Sequence, residues 1–229
     1  AFPSGRKNIS GDMMIVLRAW LRVSFVVAFL ALTSQAAFAD WTAVRDLVRQ
    51  GDGLTDDSQQ ETIYRRAYVM AQSSLASNPK SSNEYLWVAN AAGRLAMVAP
   101  TGERIKLSKI IKDNAERAIA LDSRNGAAYM VLGAWHFYVA DLSWIQKNAA
   151  KAFYGGLPPA SYQDAVKYLT LALKLGVENP VEVYYIRGRA YDELDNETAS
   201  QADYNLCIQR PARNAQELDV QRSARKRLN

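Results

Sequence analysis

The sequence has little of what catalytic and metal sites are commonly built from. Among its 229 residues there is one cysteine, Cys207, and one histidine, His136. A single cysteine cannot form a disulfide within the chain, and two such residues cannot supply the three or four ligands of a usual zinc site. A nucleophilic mechanism that needs a histidine base would have to use His136. We therefore expect neither a metal site nor a cofactor.

The body of the chain also lacks a strong charge of one sign. The formal net charge is +5, but four of the Lys and Arg residues lie in 1–39 and six lie in 209–229. Residues 40–208 are therefore close to neutral. A protein that binds nucleic acid needs a basic face on its body, so we predict no nucleic-acid partner. The basic end, residues 225–227, is interpreted as a solvated tail or as a contact to anionic lipid.

A continuous apolar run occurs near the N-terminus. Residues 13–39 contain Arg18 and Arg22, an apolar run over 23–32, and the ending Ala37-Phe38-Ala39. This order is typical of a signal peptide that is cleaved after Ala39. The run is shorter than the roughly twenty residues of a spanning helix. The alternative is an uncleaved anchor, through which the N-terminal segment would contact the membrane.

The same pattern divides the chain into three parts. Residues 1–12 precede Met13 and are interpreted as upstream or vector-derived sequence. Residues 13–39 are the predicted signal peptide, and residues 40–229 form one predicted domain in the periplasm or outside the cell.

Alternating β-branched runs are missing from residue 40 onward, whereas helical periodicity is present throughout, so the domain is predicted to be all-α. Tyr85, Tyr129 and Tyr184 each open a helix with the same local pattern. Each is followed by a second helix with small, apolar or ring residues at spacings of four and three: Ile111, Ala115, Ala118; Ala165, Leu169, Ala172; Ser200, Tyr204, Cys207. This pattern resembles the tetratricopeptide repeat. We predict a solenoid of three to four helical hairpins with a capping helix at Ala215–Leu228.

Some positions depart from the repeat or match it weakly. Arg187 stands where leucine is expected, and Trp41, Val44 and Val48 match the first helix of an additional hairpin only poorly. His136 falls on a packed ring position of the repeat. We interpret it as a core residue, because no carboxylate or nucleophile is tied to it by spacing.

The repeat is longer than the standard 34 residues at two places. Tyr85 and Tyr129 are 44 residues apart, and Tyr129 and Tyr184 are 55 residues apart. The additional residues fall between the two helices of a hairpin, at 98–107 and at 142–161. The second insert is predicted to contain a short helix, a stop at Gly155-Gly156, a Pro-rich turn and an N-cap at Ser161. Inserts at equivalent places lie on one edge of a solenoid and are expected to build one surface.

The second insert resembles the regulator of microtubule dynamics family. The residues that carry this resemblance are Leu142-Ser143-Trp144, Phe153-Tyr154-Gly155 and the upstream segment 102–107. The resemblance implies a helical scaffold with no catalytic residues to carry over. Animal members associate with microtubules and mitochondria. An exported protein would not meet tubulin, so that function is not carried over.

Two sets of residues are candidates for binding. Positions five, nine and thirteen of each first helix are expected to face the concave groove: Leu86, Asn90, Arg94; Met130, Ala134, Tyr138; Tyr185, Arg189, Glu193. Aromatic residues of the second insert, Trp144, Phe153 and Tyr154, are either anchors for a partner or packing residues. The mixed groove favours an extended protein segment or an amphipathic, lipid-like ligand. The alternative is a groove filled by the chain's own C-terminal helix.

Two further functions remain open from the residues alone. One is a helical-solenoid enzyme that cleaves cell-wall glycans, with Glu84, Glu103, Glu116 or Glu193 as its acid. The other is an envelope assembly factor that the N-terminal segment anchors to the inner membrane. We favour the non-enzymatic scaffold, because these glutamates fall on predicted solvated helix faces.

Overall fold

A computed structural model describes residues 40–178 and 180–229, with the side chains of Trp144, Phe153 and Tyr154 left undescribed. The predicted signal peptide and the segment 1–12 lie outside the described residues. The described part is all-helical, as predicted, and forms one compact unit. Its helices are α1 (Trp41–Asp52), α2 (Asp57–Ser77), α3 (Ser82–Val98), α4 (Thr101–Leu121), α5 (Gly126–Ala140), α6 (Trp144–Tyr154), α7 (Tyr162–Leu175), α8 (Val181–Asp192), α9 (Glu197–Gln209) and α10 (Ala215–Leu228).

The helix starts follow from short polar side chains. Eight of the described helices begin after an Asp, Ser or Asn whose side chain accepts a hydrogen bond from the first turn. Such N-caps satisfy backbone N–H groups that have no partner within the helix. The other two, α4 and α8, begin directly after Pro100 and Pro180, where the fixed proline backbone suits a helix start.

Four hairpins and a cap form the solenoid. The hairpins are α1–α2, α3–α4, α5–α7 and α8–α9, and each second helix packs against the first helix of the next hairpin. Successive first helices α1, α3, α5 and α8 also contact one another, whereas the second helices spread apart. The first helices therefore line the inner face, as in a tetratricopeptide-like solenoid. The predicted capping helix is α10, which packs against α8 and α9.

Burial confirms the predicted register of the repeat. The nine second-helix residues from Ile111 to Cys207 that the spacing picks out are all buried, and Ala115, Ala118, Ala165, Leu169 and Ala172 have no exposed surface. Small residues at these positions let the two helices of a hairpin approach closely. Val44 and Val48 are also buried, so the weakly matching segment that starts at Trp41 does form the first helix of a hairpin.

The two inserts take different forms. The additional residues around 98–107 lengthen α3 and α4, which run for 17 and 21 residues and are joined through Ala99 and Pro100. A proline just before a helix does not interrupt it, so this surplus forms additional helical turns. The second insert contains α6, which ends at Gly155 in the left-handed conformation, and Ser161 caps α7. These features of the second insert were predicted.

Two shallow depressions lie on the outer side of α2. One, of about 480 Å³, is lined by residues of α2 alone, and the other, of about 380 Å³, lies between α2, α3 and α4. Among the described residues, neither lining includes an aspartate or a glutamate. Within the described residues, no helix combines the length and the apolar character needed to cross a bilayer.

Candidate functional site

The inner face gathers charged side chains from hairpins that are far apart in sequence. Arg94 of α3 lies 3.0 Å from Glu182 Oε1 at the start of α8 and 3.1 Å from Asp52 Oδ1 at the end of α1. Glu182 also accepts a hydrogen bond of 2.9 Å from Gln216 of α10. We call Asp52, Arg94, Glu182 and Gln216 the Arg94 cluster. Of these residues, position in the repeat predicts only Arg94 to face the groove.

The charged side chains of the Arg94 cluster are largely buried. The side chains of Asp52, Arg94 and Glu182 are 8%, 20% and 13% exposed. Burial opposes the charged form of Arg94, but the Glu182 and Asp52 carboxylates outweigh it and raise the Arg94 pKa. Arg94 Nε lies within ion-pair distance of Asp52 but without hydrogen-bond geometry. The cluster is therefore paired in charge but incompletely hydrogen-bonded.

Tyr138 of α5 lies beside this cluster and is 37% exposed. Burial and then the Glu182 carboxylate raise the pKa of Tyr138 to about 12, while Arg189 and Arg94 oppose that shift. The phenol therefore stays protonated at neutral pH and can donate a hydrogen bond. Tyr138 gives the inner face an accessible aromatic group next to buried charges.

The other predicted groove residues divide into polar and packing positions. Asn90 is half-buried one turn before Arg94, and its buried Oδ1 has no hydrogen-bond partner among the described residues. Leu86 is 5% exposed and packs with Ala118 and Ala128, so it lies in the seam between helices. Met130 and Ala134 are partly buried against the core between α5, α7 and α8. Their predicted contact with a partner remains a prediction.

Residues of α8 complete the inner face. Arg189 donates to Asp141 at 3.1 Å, and its guanidinium lies 4.5 Å from the centre of the Phe137 ring. Tyr185 packs against two groups of buried residues, one between α5, α7 and α8 and one between α8, α9 and α10, and it lies close to Arg227 of α10. Glu193, at the C-terminal end of α8, is exposed. Helix α10 therefore reaches the inner face through Gln216 and Arg227, while Tyr138 stays accessible.

A pattern of Asp, Tyr and Arg recurs in three hairpins and was not predicted. In each case an aspartate at the end of an inner helix accepts hydrogen bonds from a tyrosine and from an arginine, which belongs to a later inner helix or, in the last case, to α10. The three sets are Asp52, Tyr64, Arg94; Asp141, Tyr162, Arg189; and Asp192, Tyr204, Arg227. The sequence separation of 12 between Asp and Tyr occurs in the first and third sets and is a usable signal. These contacts tie successive elements along the inner face.

The second insert contributes a helix beside α4. Ser143 and Gln146 form a capping box that fixes the start of α6, and Ala150 is buried. Ile145 is 72% exposed. The proposed anchors Trp144, Phe153 and Tyr154 have side chains outside the described part of the structure, so their partner contacts stay predictions.

The glutamates of the enzyme alternative are poorly placed for acid catalysis. Glu84 is 2% exposed, which prevents contact with a polymeric substrate. Glu103 is held by hydrogen bonds from Arg65, which lower the Glu103 pKa, whereas a general acid needs a raised pKa. Glu116 pairs with Lys112 at 2.6 Å on the surface. Glu193 is exposed at a helix end.

His136 and Cys207 occupy packed positions. His136 is 7% exposed, and its ring lies 5.0 Å from Trp135 and 5.2 Å from Tyr168 between ring centres. Its Nδ1 has no hydrogen-bond partner in the described part and lies 3.9 Å from Asp164. Cys207 has no exposed surface, and burial raises the pKa of its thiol to about 12. A reactive thiolate is therefore not available near neutral pH.

We expect His136 to make the fold less stable in mild acid. Burial lowers the pKa of His136 below its ordinary value of 6.5, so the unfolded chain binds a proton more readily than the folded one. Its stabilising contribution is complete above pH 6.5 and is lost as the pH falls through the folded pKa. One such group changes the unfolding free energy by at most about 1.4 kcal/mol per pH unit.

Urea unfolding of the wild type and of His136→Phe between about pH 7.5 and 5.5 checks this prediction. The variant retains a ring at the packed position but cannot titrate, so its unfolding free energy should change less with pH. Equal slopes for the two proteins would contradict a neutral, buried His136.

Comparison with known proteins identifies the family. The sequence profile described as regulator of microtubule dynamics protein 1-3 matches residues 25–229. Regulator of microtubule dynamics protein 3 of Rattus norvegicus is 26% identical over 172 residues, which cover 72% of this chain and 36% of the rat protein. Regulator of microtubule dynamics protein 1 of Bos taurus is 24% identical over 182 residues, which cover 80% of this chain and 57% of the bovine protein.

The chain thus matches 36% and 57% of the lengths of these two relatives. A thermophilic tetratricopeptide-repeat protein of Thermus thermophilus superimposes with a TM-score of 0.47 and 16% identity, over 81% of this chain and 98% of that protein. The profile match extends over most of the sequence, including the insert that carries the resemblance. The chain belongs to the regulator of microtubule dynamics family.

Proposed function

We propose that this protein is a non-enzymatic scaffold that holds a segment of a protein partner on the inner face of its solenoid. The main support is the inner face around Tyr138, where a partly exposed tyrosine ring lies near Arg94 and Glu182. Asn90, which is half-buried, adds an amide side chain one turn before Arg94 on the same helix. These groups suit recognition by hydrogen bonds and charge.

The same chemistry favours a polar peptide over an amphipathic, lipid-like ligand. An acyl chain on the inner face would lie against Arg94, Glu182, Arg189 and Asp141, and would separate charged groups from their polar surroundings. Placing charged groups against apolar matter is costly unless every charge stays paired. A peptide offers backbone and side-chain groups that can replace those partners.

Crosslinking from the inner face tests the binding proposal. Tyr138 is replaced by a photoreactive phenylalanine analogue in cells, and Asn205, exposed on the outer helix α9, receives the same residue as a control. We expect a discrete adduct from position 138 and at least about tenfold less of it from position 205, because the partner lies on the inner helices. Equal or absent capture at the two positions would reject the inner face as the binding surface.

We propose further that the domain is exported and acts in the periplasm after cleavage behind Ala39. The side chain of Asp40 accepts hydrogen bonds from the backbone of Thr42 and Ala43 and so caps α1. Cleavage at this place would leave the first helix with its N-cap intact. N-terminal sequencing of the protein from cells tests the proposal. A start at Asp40 supports export, whereas retention of 13–39 favours the membrane-anchored assembly factor.

A further inference from the structure

The first and last hairpins meet through a second group of ion pairs. Arg49, in the last turn of α1, donates to both carboxylate oxygens of Glu178 at 2.7 and 2.8 Å, across 129 residues of sequence. Glu178 also lies 3.1 Å from Arg213, and Arg213 donates to the Glu178 backbone carbonyl. We call Arg49, Glu178 and Arg213 the terminal clasp.

The terminal clasp and the Arg94 cluster share one organisation. In each, an arginine from the N-terminal half holds a glutamate that lies just before α8 or in its first turn. Arg49 holds Glu178, and Arg94 holds Glu182 through both of its carboxylate oxygens, at 3.0 and 3.2 Å. The two glutamates are four residues apart, so one short stretch of chain supplies both carboxylates.

Among the described residues, few contacts other than these ion pairs join the first two hairpins to α8. Within the described residues, α1 and α3 do not pack extensively against α8, because the inner helices contact their immediate neighbours. The connection across the inner face therefore depends on long side chains. Arg49 and Glu178 are 47% and 67% exposed, and exposed ion pairs stabilise a fold only weakly. Glu178 can therefore leave Arg49 at little cost, whereas Glu182, which is 13% exposed, can leave Arg94 only when another carboxylate takes its place.

We propose that Glu178 and Glu182 are internal occupants of an arginine-lined site that receives the carboxylates of an acidic partner segment. This inference rests on the proposed function and specifies the chemistry of its partner. A guanidinium binds any carboxylate with the same paired hydrogen bonds, so acidic side chains of a partner can replace those of Glu178 and Glu182.

Removing the internal carboxylates should raise the affinity for an acidic peptide. The probe is a fluorescent peptide of alternating glutamate and serine, titrated by anisotropy against the full chain and its variants. If the internal glutamates occupy the site for about 90–99% of the time, Glu178→Gln with Glu182→Gln should tighten binding by about 10- to 100-fold. Adding Arg49→Gln and Arg94→Gln to that variant should abolish the increase, because these changes remove the two arginines that the glutamates hold.

A matched control lies on the outer side of the repeat. Glu103 is held by Arg65 with the same kind of paired contact, at 2.7 and 2.9 Å. Glu103→Gln frees one arginine and changes the net charge in the same direction, so it should leave the affinity for the peptide unchanged. If the double variant unfolds, Glu178→Gln alone provides the test, because its exposed side chain lies outside the core.

The outcomes separate this inference from the proposed function. If the Glu178→Gln and Glu182→Gln variants do not bind the acidic peptide more tightly, the two glutamates are not internal occupants of the site. The same conclusion follows if Glu103→Gln raises the affinity equally. If the affinity for inorganic phosphate rises by the same factor, the variants bind anions in general, and the proposal of an acidic peptide partner is rejected. If the acidic peptide fails but crosslinking from position 138 captures a protein, the scaffold function stands and the acidic partner does not.

Discussion

Replacing Arg187 with leucine, the residue usual at this position of the repeat, is expected to destabilise the fold by about 3–5 kcal/mol. Arg187 donates two hydrogen bonds of 2.7 Å to Asp203 and one of 3.0 Å to Thr170. The side chain of Asp203 is 3% exposed. Leucine would leave that carboxylate buried without its counter-charge, and the cost of an unpaired buried charge exceeds the benefit of burying one more apolar side chain.

Urea unfolding at neutral pH measures this effect against a matched surface pair. Arg65 makes two short contacts with Glu103, but these side chains are 45% and 33% exposed, so Arg65→Leu should cost no more than about 1 kcal/mol. Removing both charges, in Arg187→Leu with Asp203→Leu, should recover much of the lost stability, because no buried charge is left unpaired. Equal losses for Arg187→Leu and Arg65→Leu would contradict the buried pair.

Arg187 also shows what the repeat pattern does not predict. The spacing of small residues predicts the seams within hairpins, because close approach of two helices needs them at fixed positions. Ala165, Leu169 and Ala172 are buried as that argument requires. The Arg187–Asp203 pair joins two helices of one hairpin by charge, and nothing in the periodicity of either helix signals it. The only sign of this pair in the sequence is that Arg187 stands where the repeat usually has leucine.

Position in the repeat predicts which residues lie on the inner helices, but it does not predict which residues they contact. The thirteenth position of a first helix predicts that Arg94 and Tyr138 face the groove, and the two residues lie on the inner helices α3 and α5. The contact between Arg94 and Glu182 spans 88 residues. It depends on the rotation that accumulates over several hairpins, and small rotations per repeat set the curvature of a solenoid. Local patterns contain no measure of that rotation, so the closure between first and last hairpins emerges only from the structure.

Alanine at Gly133 is expected to destabilise the fold by about 1–3 kcal/mol, although alanine favours helices more than glycine does. Gly133 lies on α5 where it faces α7. A Cβ there would lie 2.7 Å from Leu169 Cγ and 3.0 Å from the Leu169 backbone N. A side chain can rotate away, but the backbone N cannot move unless α7 moves as well. Gly126→Ala should have a similar effect, because its Cβ would lie 2.5 Å from the Gly176 carbonyl oxygen.

Gly93→Ala is the matched control, because it makes the same chemical change in the interior of another inner helix. A Cβ at Gly93 meets no described atom within 4 Å, so the substitution should stabilise the fold by about 0.4–1 kcal/mol through helix propensity and a less flexible unfolded chain. Thermal or urea unfolding measures both effects. If alanine stabilises the fold at position 93 and destabilises it at position 133, the repeat needs glycine at position 133 because the two helices approach closely there. A stabilising Gly133→Ala would mean that α5 and α7 are farther apart, and the geometry that positions Tyr138 and Arg94 on the inner face would have to be revised with it.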